Sequence, residues 1–109
     1  MSAIDSFIVP ADKVPGPGYM KRVEAFGERI LVANVDGVYY AASDTCTHED
    51  ASLSNGALKD DCTVACPLHG SRFDLKTGEA LDEPAETPLV TYRADLIDGN
   101  LVLYAANHA

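Results

Sequence analysis

No stretch of this chain keeps a 3.6-residue apolar period over three turns, which argues against long helices. Short apolar runs and period-two patterns take their place. Phe7-Ile8-Val9, Tyr19 to Phe26, Arg29 to Val35 and Val38 to Ala42 read as strands in the first half, and Leu89 to Ile97 and Leu101 to Tyr104 in the second. Asp36-Gly37 stands between Val35 and Val38, and Asp98-Gly99-Asn100 between the last two runs. An Asp-Gly pair accepts the positive φ that a two-residue hairpin demands, so both read as tight antiparallel turns. Pro10, Pro15, Gly16, Pro17 and Gly18 form a loop that no helix could cross. A single helical turn fits around Asp50 to Leu53. Tyr39 and Tyr40 are neighbours on one strand and point to opposite faces, so one is expected in the core and one on the surface.

The expected architecture is all-β, an antiparallel sandwich or barrel-like fold with a loop-built part inserted between hairpins. At 109 residues there is chain enough for one core and not for two domains of ordinary size. The single domain 1–109 would divide into a basal β part, about 1–43 and 89–109, and an inserted part, about 44–88. The inserted part is richer in Gly, Pro, Cys and His and poorer in long apolar runs.

Charge excludes several functions. Seventeen acids against eight bases give a net charge of −9, which is wrong for nucleic acid or an anionic membrane. It suits partners with positive surfaces. There is no apolar run near the length needed to span a bilayer. The first residues, MSAIDSFIVPAD, carry neither a basic start nor a sustained apolar core, so no signal peptide is expected. Three cysteines, an odd number, point to ligand or thiol roles in a reducing, cytoplasmic compartment and away from a disulfide framework.

Two of those cysteines fall in matching motifs, Cys46-Thr47-His48 and Cys66-Pro67-Leu68-His69. Each pairs one thiolate with one imidazole. Two ordinary buried cysteines and two incidental histidines would have to cluster by accident to look like this. Structural zinc takes the same donors in a tetrahedron, but commonly pairs like with like at wider steps. A two-iron, two-sulfide cluster is the third reading, with both thiolates on one iron and both imidazoles on the other. A one-residue gap puts Cys46 and His48 on one face of an extended stretch. The two-residue gap of the second motif suits a turn, stiffened by Pro67, with Gly70 allowing close backbone approach.

C-T-H followed by C-P-L-H-G-S resembles the Rieske iron–sulfur signature. The likeness extends to Leu53-Ser54-Asn55-Gly56, Phe73-Asp74, Thr77-Gly78-Glu79 and the Pro-containing segment Glu83 to Leu89. Within that family the chain looks like a Rieske-type ferredoxin that shuttles electrons in aromatic-ring-hydroxylating dioxygenase systems. The resemblance implies a Rieske fold and one [2Fe–2S] cluster. Cys46 and Cys66 would hold the buried iron, and His48 and His69 the outer one. Respiratory relatives carry a disulfide across the two loops, and the matching positions here are Ala51 and Leu68, so that clamp is absent. Cys62 falls outside both motifs and reads as a small core residue. Ser71 matches a hydroxyl position near the cluster, whereas Phe73 stands where high-potential relatives have a tyrosine. Fewer donors make reduction harder, so a potential near the low end of the Rieske range, about −150 mV, is implied.

Such a chain is a carrier and not an enzyme. A second, mononuclear iron site needs further histidines, and only His108 remains. Gly16-Pro17-Gly18 lacks a dinucleotide fingerprint, so neither NADH nor flavin is expected to bind. The partners implied are a flavin-dependent NAD(P)H ferredoxin reductase and a terminal Rieske oxygenase. Leu68 and Pro84 would centre the docking face, with Glu49, Asp50, Glu83 and Glu86 as an acidic rim. The other readings are the small subunit of an NAD(P)H nitrite reductase and a zinc-stabilised binding module.

Overall fold

The computed structural model describes residues 6–46, 51–68, 70–82 and 87–105. Among these residues, nine strands run in the order β1 (Ser6–Val9), β2 (Met20–Ala25), β3 (Glu28–Val35), β4 (Val38–Ser43), β5 (Ala57–Leu58), β6 (Thr63–Ala65), β7 (Arg72–Asp74), β8 (Thr91–Ile97) and β9 (Asn100–Tyr104). Six form one antiparallel sheet in the order β1-β9-β8-β4-β3-β2, and β5-β6-β7 form a second, smaller one. The all-β expectation holds. The part read as loops contains that three-stranded sheet, whose strands of two or three residues are too short to display a period.

The centre of the large sheet, around β3 and β4, is buried on both faces. In β3, Ile30 and Val32 pack on one side with Ala41, Leu101, Leu103 and Val9. Leu31 and Ala33 pack on the other with Ala42, Val64, Phe73 and Leu89. That is why Ile30 to Ala33 is an uninterrupted apolar run without alternation. It also corrects the expectation for the tyrosines. Tyr39 packs against the first cluster and Tyr40 against the second, and both are half-buried.

Both Asp-Gly turns form as expected, with Asp36 and Asp98 at φ 54° and 53° and their glycines at 88° and 84°. A third turn of this kind is made by Phe26-Gly27, φ 57° and 74°. A non-glycine residue in the left-handed region costs about 1–2 kcal/mol. Phe26 recovers much of this by stacking on Tyr92, ring centroids 6.1 Å apart and planes 16° from parallel, a contact contributing about 0.5–1.5 kcal/mol. The Pro-Gly loop contains one 3-10 turn, Ala11–Lys13. Its far end is tied down by buried Asn34, whose Nδ2 donates to the Pro15 carbonyl at 3.0 Å.

Two glycines join the small sheet to its surroundings by closeness. A Cβ on Gly56 would collide with the Ala65 carbonyl oxygen, and one on Gly78 with that of Leu89. Gly56→Ala should therefore push β5 off β6, one residue from Cys66. The expected loss is about 1–3 kcal/mol, the usual range for overpacking. A denaturant midpoint equal to that of the unsubstituted chain would show that β5 yields without cost.

Candidate metal centre

Cys46 and Cys66 lie in one apolar cluster with Leu31, Ala33, Ala42, Leu53, Val64, Phe73, Leu75 and Leu89. They are 4% and 3% exposed, and neither forms a disulfide. Cys46 follows β4 and is fixed from above by the large sheet. Cys66 follows β6 and is carried by the small one. The cluster between the sheets is thus where two segments twenty residues apart bring their sulfurs.

The two segments are closed alike. The Cys46 N–H donates to the Ala51 carbonyl at 2.9 Å, and the Cys66 N–H to the Ser71 carbonyl at 2.8 Å. Each cysteine therefore opens a six-residue loop whose fifth following carbonyl shuts it. His48 and His69 belong to these loops by sequence but fall outside the described residues. So do Glu49, Asp50, Glu83, Pro84 and Glu86, the expected rim. Among the described residues, no three His, Cys, Asp or Glu converge.

The second loop tightens further, with the Gly70 N–H donating to the Cys66 carbonyl at 2.9 Å. Gly70 has φ 72° and no described atom near a would-be Cβ, so backbone conformation, not close approach, calls for glycine here. Leu68, at the tip of the loop, is 59% exposed, an apolar side chain held in solvent beside the motif. Ser71 and Phe73 are both buried, and Phe73 shares the cluster with the two thiols. The helical turn expected around Asp50 to Leu53 is found at Leu53–Asn55, with Asp50 outside the described residues. Arg72, between Ser71 and Phe73, clasps Asp82 through Nε at 2.7 Å and Nη2 at 3.2 Å, and its N–H donates to the same carboxylate at 3.1 Å. This pins the start of the Pro-containing segment to β7, and it depresses the Asp82 pKa below the ordinary carboxylate value.

Two buried, unbridged thiols in an apolar core are soft donors that suit iron or zinc. Comparison decides which. Residues 6–93 match the Rieske [2Fe-2S] domain. The chain belongs to the Rieske [2Fe–2S] family. A Rieske domain carries a [2Fe–2S] cluster, which sets aside the zinc-stabilised module, and buried thiols are donors of a kind such a cluster takes. The chain is 49% identical over 74 residues to the 3-phenylpropionate/cinnamic acid dioxygenase ferredoxin subunit of Escherichia coli K12, covering 68% of this chain and 70% of that one. It superposes with a TM-score of 0.86 and 31% identity on a chain of a carbazole 1,9a-dioxygenase oxygenase–ferredoxin complex, covering 95% of this chain and 96% of that one. It also superposes on a putative NADPH nitrite reductase small subunit, with a TM-score of 0.78, 27% identity and 93% and 99% covered. Like its ferredoxin relatives, this Rieske protein is an electron carrier and not the oxygenase itself. No helix among the described residues is long and apolar enough to cross a membrane.

Cys62 is a core residue, as expected, but an unusual one. It adopts φ 68° in the turn between β5 and β6, and the Tyr40 hydroxyl of β4 is near enough to influence its thiol. Burial pushes the Cys62 thiol above its ordinary value of 9.0 against the opposing pull of that hydroxyl. Burial, followed by the influence of Cys62, pushes Tyr40 above 10.0. The unfolded chain therefore releases these protons before the folded one does, and stability should fall as pH rises past about 9. Denaturant midpoints at pH 8 and pH 10 check this, and Cys62→Ala should lose less stability across that interval than the parent. Equal losses would mean that Cys62 ionises in the fold as readily as outside it.

Proposed function

We propose that this chain is the cytoplasmic ferredoxin component of an aromatic-ring dioxygenase system, with Cys46 and Cys66 holding one iron and His48 and His69 the other. In this reading it accepts an electron from a flavin-dependent NAD(P)H ferredoxin reductase and delivers it to a terminal Rieske oxygenase. The observation that carries the reading is the pair of identically closed Cys loops meeting in one dry core. When bound, the cluster supplies a one-electron couple.

The chain's own residues do the rest. Leu31, Phe73 and Leu89 exclude water from the thiols, so sulfur there interacts with metal and not with solvent. The backbone closures at Cys46 and Cys66 hold the two cysteines in place and limit rearrangement on electron transfer. Exposed Leu68 offers an apolar contact, next to His69 in sequence, and the chain's net charge of −9 suits a positive partner. The nitrite reductase reading shares the fold, but the greater sequence identity is to a dioxygenase ferredoxin.

Replacing Cys46 or Cys66 with Ser puts a hard oxygen where a ferric thiolate belongs, and should leave protein with little iron or labile sulfide. A fully loaded Cys66→Ser protein would remove it from the ligand set. In a system rebuilt from reductase, oxygenase and NADH, product formation should require this chain. Electron transfer to the oxygenase should also slow as ionic strength rises past about 0.1 M. Activity only with a sirohaem subunit would favour nitrite reduction.

Phe73→Tyr tests the low potential. The hydroxyl enters a fully buried site in the same cluster as the thiols. If about 1 kcal/mol of a hydrogen bond to a charged acceptor is gained on reduction, the potential rises by about 40 mV. Film voltammetry at matched cluster content reads this directly. An unchanged potential would assign Phe73 to packing alone.

A further inference from the structure

Asp44 is fully buried, at 0% exposure, directly after β4 and two residues before Cys46. Its N–H donates to the Arg29 carbonyl at 3.0 Å, and its carbonyl accepts the Leu53 N–H at 2.6 Å. Its side chain repeats the link. Oδ1 accepts the Ser54 N–H at 2.8 Å, and Oδ2 accepts the Ser52 hydroxyl. The Ser52 and Ser54 hydroxyl oxygens are 2.9 Å apart, and Ser52 also pairs with Thr45 across an isolated bridge. One residue thus fastens the strand that enters the first loop to the turn that leaves it.

A neutral side chain would have served for closure alone. Ser and Asn accept backbone N–H bonds in such places about as well as Asp. A carboxylate removed from water is costly unless its charge is compensated, and among the described residues its side chain accepts from a hydroxyl and an amide, both neutral. The charge itself therefore calls for a use.

We propose that Asp44 is a positioning residue whose buried carboxylate both fixes the Cys46 loop and opposes reduction of the cluster, keeping its potential low. This rests on the assignment of Cys46 as a ligand. Reduction adds one negative charge to the centre, and a fixed negative charge nearby disfavours that. Two residues of extended chain span at most about 7 Å, so the carboxylate lies close to the ligand. At an effective dielectric of about 20, a full charge at roughly 7–10 Å shifts a one-electron equilibrium about tenfold or more.

Asp44→Asn keeps the size of the side chain, an acceptor for Ser54 and a polar group facing Ser52, and removes the charge. Ser52→Ala removes a donor and keeps the charge. Iron and sulfide content and film voltammetry are measured on both, with Cys46→Ser as the control for the ligand assignment. Loaded Asp44→Asn should shift about tenfold towards the reduced form, a rise of about 59 mV. Ser52→Ala should leave the potential unchanged or lower, because the carboxylate is then less compensated. An unchanged potential in loaded Asp44→Asn overturns the proposal. So does a rise in Ser52→Ala, whether or not Asp44→Asn loads, since a merely loosened loop would move both variants the same way. A Cys46→Ser protein that keeps the parent's cluster and spectrum overturns the ligand assignment instead, and is read independently of the Asp44 shift.

Discussion

Two sulfurs from distant parts of the chain must be dry in the same place without bonding to each other. Everything around Cys46 and Cys66 serves that constraint. Buried thiols that do not bond to each other are soft donors, the kind that a [2Fe–2S] cluster takes. The core that dries them is shared by the two sheets, with Leu31, Ala33 and Ala42 from the large one and Val64 and Phe73 from the small one. Drying the two thiols and joining the sheets are therefore one packing problem.

The two cysteine-bearing loops share one backbone closure and differ in what reinforces it. The second is closed by backbone alone, with Pro67 in the turn and Gly70 in a conformation that glycine adopts freely. The first has that closure too, and is fastened further at its base by the Asp44 carboxylate, Ser52 and Ser54. Below both loops, a sheet whose centre is buried on both faces gives a stiff platform. A carrier benefits from such stiffness, because geometry held before the electron arrives need not change afterwards.

Much of this was legible in the sequence, and the exceptions have physical reasons. Asp36-Gly37 and Asp98-Gly99 announced their hairpins through residue type, whereas Phe26-Gly27 did not, since a phenylalanine at positive φ is tolerated only because of its stacking on Tyr92. The three strands of the small sheet were hidden by their brevity. Tyr39 and Tyr40 were placed on opposite faces correctly, but the second face is covered too, which local alternation does not reveal. The donor motif stood out because its chemistry requires particular side chains at particular steps. Asp44 did not, because its importance lies in burial and in bonds to residues eight and ten positions on.

The most direct test of the central claim, a cluster held by two thiolates and two imidazoles, is pulsed electron resonance of the reduced protein with its histidines labelled by nitrogen-15. Two distinct, strongly coupled histidine nitrogens are expected, alongside two irons and two labile sulfides per chain, and each coupling should vanish on replacing His48 or His69. A reduced signal without histidine nitrogen coupling would contradict the account.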